Sequence, residues 1–465
     1  MAVTHKLASG AFMRRHLAML LATGFVVVST VTVGVTVWLA EPTELRDDLP
    51  NVVLIVLCST RADMTPWFSD VFDTMPSLGT AMADGVVFED GITAAPWTRP
   101  AITAIVSGAH PGTLGLLEPL ARRSNRVVPE SADILSERLN ALGFYTVGRS
   151  ANPNVSRTFG FDQGFDDFNN LSETWRQGVT KIPGMQVSES VLAALDDRPT
   201  ETPVFIQAVY VDAHQPFDVS KRTGRLWRTA EEPLRVGRYR GMLRKLDAAV
   251  STLVVGLSER DITPENSIFV VVNDHGEGLI WPTHHGRGHG RYLYPTTTKL
   301  VWIMAGVGVD SGRIQGLASQ VDIAPTIMEI IGEPQAGTWE GQSLAASVRD
   351  ASIVTGRQRA FSATMFSDTQ RGAVFSSSAA CLHDYGDGTA QGTEVNRSKP
   401  VFEASCFERT SAELGSTAAY PELGVELDSW WSDMRVRLDA WGDNGADIPD
   451  DLDAMLHALG YTDDP

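Results

Sequence analysis

Cysteine is scarce in this chain: there are three in 465 residues, Cys58, Cys381 and Cys406. That is too few for a fold stapled together by disulfides. Cys381 and Cys406 lie close in sequence, which leaves open either a disulfide between them or two unbonded buried thiols; Cys58 is left over. Net positive charge is missing as well. With 38 Lys and Arg against 57 Asp and Glu, the formal charge is −19 and the pI about 4.9. That balance disfavours general nucleic-acid binding, which requires a basic face. An anionic substrate would have to be drawn by local positive charge or by a metal ion, against the field of the whole molecule. No internal repeat and no low-complexity segment is present. At 43% hydrophobic and 20% charged residues, wholesale disorder is excluded. The length suffices for a substantial core, as two or three domains or as one large α/β unit.

One long apolar run stands out. Leu17 to Ala40, "LAMLLATGFVVVSTVTVGVTVWLA", holds 24 residues without a charge, enough to cross a bilayer of about 30 Å at 1.5 Å per residue. Arg14, Arg15 and His16 precede it, and Glu41, Glu44, Asp47 and Asp48 follow. Positive residues stay on the cytoplasmic side, so the bulk of the chain is expected outside the cytoplasm. An uncleaved anchor and a cleaved signal peptide ending near Ala40 are both open. The length of the run and the bulk of Trp38 favour the anchor. Residues 1–16 are then a cytoplasmic N-terminus, 17–40 a transmembrane helix and 41–50 a linker.

Beyond the linker, strand and helix patterns alternate. "NVVLIVL" (51–57) and "PVFIQAVYVD" (203–212) are apolar runs of the kind buried on both faces of a sheet. "SADILSERLNALGFYTVGRS" spaces Ile134, Leu135, Leu139 and Leu142 helically, stops at Gly143 and leads into a short strand over 145–147. The spacing predicts an amphipathic helix over 239–261, then a strand over 267–274, an apolar segment over 298–306 and a helix over 321–332 closed by Gly332. The alternation argues for an α/β fold with a mostly parallel, doubly wound sheet. From about residue 350 the texture turns to Ser, Gly, Thr and short β-like runs. A core unit is therefore expected over 51–349 and a smaller antiparallel subdomain from 350, with "DAWGDNGADIPDDLDAML" read as a solvated acidic tail and not a site.

Polar residues collect where strands end. Cys58 follows the first strand, Asp212 and His214 end a second, and Asp274 and His275 in "VVVNDHGEG" end a third. Strand-end loops on one sheet edge converge, so these groups can meet in one cleft. Five of the ten histidines, His214, His275, His284, His285 and His289, fall within 76 positions, a density that points to metal or phosphate-type chemistry.

The order of "NVVLIVLCSTRAD", "GVVFEDGITAAPWTRPAITAIVSGAHP", "VDAHQPF", "VVVNDHGEGL", "HHGRGHGRYLY" and "VDIAPTIMEIIG" resembles the sulfatase-like proteins of the alkaline phosphatase superfamily, over roughly residues 51–345. The resemblance implies an alkaline phosphatase-like α/β fold and a metal-dependent nucleophile that acts on a sulfate or phosphate ester. It puts Thr98 at the nucleophile position and Asp274 and His275 at metal-ligand positions. His214 and His289 fall where the family holds the oxyanion or protonates the leaving group, and Asn152 matches a polar pocket position. Arg99 and His285 are candidate substrate-binding side chains. A hydroxyl is a poor nucleophile until a cation lowers its pKa. An imidazole–carboxylate pair suits Zn²⁺ or Mn²⁺ better than the oxygen cage Ca²⁺ prefers.

Two departures bear on activity. Sulfatases of this kind carry Cys or Ser in a Cys/Ser-x-Pro-x-Arg sequence that is oxidised to formylglycine. Here Thr98-Arg99-Pro100-Ala101-Ile102 stands instead, closer to the phosphotransferase and phosphodiesterase branches. Cys58 stands where relatives place a metal-binding aspartate. A thiolate binds Zn²⁺ well, so either Cys58 is a third ligand beside Asp274 and His275, or metal binding is lost and Cys58 is a small buried residue. Asp63 is a fallback ligand with a structural role as the plainer reading. Two functions follow: a membrane-anchored, exported hydrolase or transferase of sulfate or phosphate esters, or a catalytically degraded relative that binds an anionic ligand or partner.

Overall fold

The structure is a computed structural model that describes residues 49–117, 126–174, 181–199, 201–280, 287–335, 337–366, 369–385, 405–410, 413–417, 419–441, 445–459 and 461. The apolar run over 17–40 lies outside the described residues, and among those described no helix is long and apolar enough to cross a membrane.

The strand β1 (Asn51–Leu57) is buried at every position and sits in the middle of a nine-stranded sheet. Around it lie β2 (Val86–Ile92), β3 (Tyr145–Ser150), β4 (Asp167–Asn170), β5 (Val204–Tyr210), β6 (Ser267–Val272), β7 (Trp302–Gly306) and β8 (Gly312–Ser319). Their order is β8-β2-β7-β6-β1-β5-β3-β4, with Lys299–Leu300 paired to β2. β1 runs parallel to both β5 and β6, and only β7 among these eight reverses direction. Asn51 ties the strand starts together: its amide donates to Ser267 Oγ at 3.2 Å and its carbonyl oxygen accepts from the Val204 N–H at 3.0 Å.

Side chains of β1 alternate between two cores, as the pleat requires. Val52, Leu54 and Val56 face one, and Val53, Ile55 and Leu57 the other. The first core is covered by α1 (Thr98–Ser107), α2 (Leu135–Ala141) and α3 (Ile323–Ile330); the second by α4 (Gly184–Leu195) and α5 (Leu234–Ser258). Each large aliphatic side chain buried there contributes roughly 1.5–3 kcal/mol. The helices thus flank both faces, as the alternation implies. The helix expected over 239–261 starts earlier, at Leu234 behind Pro233, and ends at Ser258. α3 is shorter than its apolar pattern because Gln320–Asp322 forms a separate 3-10 turn, while Gly332, at φ 85°, follows its C-terminal end.

A second, antiparallel sheet of five strands follows: β9 (Ala360–Thr364), β10 (Arg371–Phe375), β11 (Ala379–Asp384), β12 (Ser405–Thr410) and β13 (Glu413–Thr417). Cys381 on β11 and Cys406 on β12 are register partners and form a disulfide, resolving the choice left open by the sequence. The described residues all fall in one compact unit, in which the antiparallel sheet packs against the first through β9 and β8. α6 (Pro421–Ala440) lies on β10 and β11 with Leu423, Leu427 and Trp431 buried.

The segment expected to be a solvated acidic tail folds instead into α7 (Asp450–Ala458). Its Leu452, Met455 and Leu456 are buried in the first core, while Asp450, Asp451 and Asp453 stay exposed. The acidic composition describes one face of this helix; apolar residues at positions 3, 6 and 7 of the helix supply the other.

Candidate active site

The C-terminal ends of four adjacent parallel strands, β6, β1, β5 and β3, deliver one group or more each. Cys58 follows β1, Asn152 follows β3, Asp212 and His214 follow β5, and Asp274, His275 and Glu277 follow β6. Thr98 opens α1 behind Trp97, and its hydroxyl lies at the centre. Thr98 Oγ1 is 3.3 Å from His275 Nε2, 3.5 Å from Cys58 Sγ and 3.4 Å from Asn152 Nδ2, which donates to it. The same amide reaches Cys58 Sγ at 3.3 Å. All four side chains are buried.

Backbone conformation aims the acidic group. Ser59, the residue after Cys58, adopts φ 59°, a region that costs a non-glycine residue about 1 kcal/mol or more. That turn points the Ser59 N–H at Asp274 Oδ1 (2.9 Å), which also accepts from the His275 N–H at 2.7 Å. Tyr239 of α5 holds the turn, donating to the Ser59 carbonyl at 2.8 Å and accepting from the Arg61 N–H at 2.7 Å. With Oδ1 so engaged, Asp274 Oδ2 is left facing the site with no hydrogen-bond donor.

Cys58, Asp274 and His275 bring three ligand atoms within 4.8 Å of one another. The donor chemistry fits a cation. His275 Nδ1 is 2.7 Å from the Gly276 carbonyl, which can only accept, so the proton sits on Nδ1 and Nε2 presents a lone pair. Burial holds the ring neutral, its pKa down at about 4. Nε2 therefore faces Asp274 Oδ2 at 3.3 Å with no proton between them, a pairing that a positive ion would satisfy. Burial, then Asp274, pushes the Cys58 thiol well above its usual pKa in the absence of an ion. Asp63, the fallback ligand, is engaged by both Arg61 Nε (2.9 Å) and Nη2 (2.6 Å) and is about half exposed.

His214 and His289 complete a ring of imidazoles: His289 lies 4.3 Å from His275 and 4.9 Å from His214, centroid to centroid. His214 Nδ1–H donates to the Gln215 carbonyl at 2.6 Å, leaving Nε2 a buried lone pair, and burial holds its pKa near 3. Two residues here were not anticipated. Glu277, fully buried with its pKa raised by that burial, sits 3.5 Å from His289 Nδ1; the signal was its place in "NDHGEG". Lys181 Nζ donates at 2.5 Å to the carbonyls of both Asp212 and His214 and so fixes the turn that carries His214. Burial lowers its pKa to about 8.

Arg99 does not turn toward Thr98's hydroxyl. Its Nη2 donates to Asn154 at 3.0 Å and its guanidinium stacks on Phe159, 3.4 Å from the ring centre. His285 lies outside the described residues. A further group arrives from the far end of the chain: Tyr461 Oη is 2.9 Å from Thr98 Oγ1 and accepts from Asn152 Nδ2 at 3.1 Å.

The sulfatase family model matches residues 50–333, more than half of the chain. The chain belongs to the sulfatase family. Arylsulfatase K of dog and of human are each 27% identical over 107 residues, 23% of this chain and 19% of theirs, so the match spans about a fifth of these curated relatives. Among solved structures, BT4656 in complex with its substrate D-glucosamine-2-N,6-O-disulfate aligns over 85% of this chain and 99% of its own at 13% identity and TM-score 0.65. Ps i-CgsB aligns over 85% and 93% at 17% identity and TM-score 0.62. An alkaline phosphatase superfamily protein from Vibrio parahaemolyticus aligns over 86% and 89% at 15% identity and TM-score 0.60. At these identities the likeness is one of fold. Within the sulfatase family's frame, Cys58 occupies the end of the central strand and Thr98 the head of the buried helix, where the resemblance in sequence had put a metal-binding aspartate and the nucleophile.

Proposed function

We propose that this chain is an exported, membrane-anchored hydrolase or transferase of sulfate or phosphate esters in which Thr98 is the nucleophile. The observation that carries the reading is the Thr98 hydroxyl itself, set at the head of a buried helix and enclosed by His275 Nε2, Cys58 Sγ and the Asn152 amide. Asp274, His275 and Cys58 would hold a divalent cation, and the sulfur and nitrogen donors favour Zn²⁺ or Mn²⁺ over Ca²⁺. When bound, that ion supplies a lowered hydroxyl pKa and neutralises charge on the transferred group.

The chain's own residues do the rest. The first-turn N–H groups of α1 favour negative charge beside Thr98. Asn152 Nδ2 donates toward an oxygen placed next to the hydroxyl. His214 Nε2 presents a lone pair that accepts a proton, and an anionic ester beside it favours the protonated ring. Glu277 orients His289 for proton transfer to the departing oxygen. A threonine in place of a formylglycine precursor supports phosphate esters alongside sulfate esters. The uncharged run over 17–40 and the Cys381–Cys406 disulfide support export, since disulfides persist in oxidising compartments.

The test is metal analysis of the purified protein with a panel of aryl sulfates, sulfated amino sugars, and phosphate mono- and diesters. The expected result is about one equivalent of Zn²⁺ or Mn²⁺ and turnover that T98A lowers by about 100-fold or more. Protein that stays metal-free after supplementation and turns over nothing would overturn the reading. It would favour instead a binding protein for anions, for which the thiol at the metal-carboxylate position is the supporting observation.

A further inference from the structure

Thr98 Oγ1 has four polar neighbours among the described residues. Three of them, His275, Cys58 and Asn152, are carried by strand ends of the central sheet. The fourth, Tyr461, comes from beyond α7 and is the only one whose anchorage is separate from that sheet. A sulfur or phosphorus atom attacked by Thr98 must approach to about 3–3.5 Å of its oxygen. The Tyr461 phenol already stands at 2.9 Å.

The ring fills the space in front of the histidines as well. It is tilted against His214 at 5.2 Å and edge-on to His289 at 5.8 Å. Tyr461 is 2% exposed, and Cys58 and Thr98 beneath it have no exposed surface. Meanwhile His214 Nε2 and Asp274 Oδ2 lie buried without a hydrogen-bond partner. Among the described residues the Tyr461 hydroxyl engages Thr98 and Asn152 and neither of these two atoms.

The attachment is built to place that ring. Leu452, Met455 and Leu456 of α7 pack into the first core, and the helix lies against Leu171–Thr174. The Tyr461 N–H returns to the Leu456 carbonyl at 2.9 Å, the closure that ends a helix and turns the next side chain inward. Upstream, a single isolated bridge joins Gly445 to Arg126.

We propose that residues 445–459 together with Tyr461 are an intramolecular plug, with Tyr461 occupying the place of the substrate's ester group, and that a sulfate or phosphate oxyanion reaches Thr98 only when this segment withdraws. The inference rests on reading the Thr98 centre as a ligand site. It is tested without relying on catalysis, because Cys58 is the sole free thiol of the disulfide-bonded protein and lies under the plug.

The experiment measures the alkylation rate of Cys58 by mass spectrometry in the full chain, non-reduced and with a chelator present, together with inorganic sulfate and phosphate binding by calorimetry. Tyr461→Ala is expected to label about tenfold faster or more than the parent at an unchanged cooperative thermal transition, as for a local opening. It should also bind the oxyanions more tightly. Tyr461→Phe, which keeps the ring, should label close to the parent rate. If Tyr461→Ala does not fold, Leu456→Ala loosens the same segment from outside the site and should accelerate labelling. Folded Tyr461→Ala or Leu456→Ala that labels at the parent rate and gains no oxyanion affinity overturns the plug. Fast labelling without turnover on any ester would leave the plug standing and count against the hydrolase reading alone.

Discussion

On the proposed reading, a single thiol at Cys58 would decide which ions the centre accepts. Its Sγ shares space with Asp274 Oδ2 and His275 Nε2, a set of one soft, one intermediate and one hard donor. C58D would replace sulfur by oxygen at the same strand end, and the expected outcome is a shift of preference toward Mg²⁺ or Ca²⁺ with Zn²⁺ affinity lowered about tenfold or more. C58A should weaken every ion. Calorimetric titration of the three proteins with each metal checks both statements. Equal Zn²⁺ affinity in parent and C58A would remove Cys58 from the ligand set. The neighbouring Ser59 is a residue of the same kind, held at positive φ so that its N–H can orient a carboxylate.

At the scale of elements, α5 is the clamp on that strand end. Tyr239 is fully buried and serves the Ser59 carbonyl and the Arg61 N–H with one hydroxyl. Tyr239→Phe should strand both backbone groups without opening a cavity, at a cost of about 1–3 kcal/mol in urea denaturation. A loss below half a kcal/mol would mean the turn does not depend on the clamp.

The elements also show what a sequence can and cannot disclose. Runs such as "NVVLIVL" and "SIFVVV" are legible as central strands because burial on both faces leaves no alternation. The apolar "WIMAG" is equally legible as buried, yet nothing in it discloses that β7 runs against its neighbours, since an apolar run carries no direction. Cys58, Asp274, His275 and His214 were reachable because strand ends converge, and Thr98 and Asn152 through family likeness. Glu277 was readable in principle, two residues past His275. Tyr461 was not: its partner Thr98 lies 363 positions away, and α7 was masked by its acidic face.

Across the whole molecule, the second sheet is the support on which α6 rests, while α7 packs on the first core. Its strands β11 and β12 are joined by Cys381–Cys406, and α6 lies across β10 and β11. Replacing both cysteines by serine should cost about 2–4 kcal/mol, read as a lower denaturation midpoint than the oxidised parent. An identical midpoint for the parent and the double variant would show that packing alone holds the sheet. The net charge of −19 adds a long-range penalty for any anionic ester approaching from solution, which makes the local donors around Thr98 the more necessary.

The distance in sequence between Thr98 and Tyr461 also has a meaning in time. In a chain made from its N-terminus onward, His289 is synthesised 172 residues before Tyr461. At 5–20 residues per second that interval is on the order of ten seconds or more. During it the strand ends can assemble their thiol, carboxylate and imidazoles without Tyr461 above them. On the plug reading, an ion entering the centre at that stage would meet an open vessel, and Tyr461, arriving later, would put on the stopper.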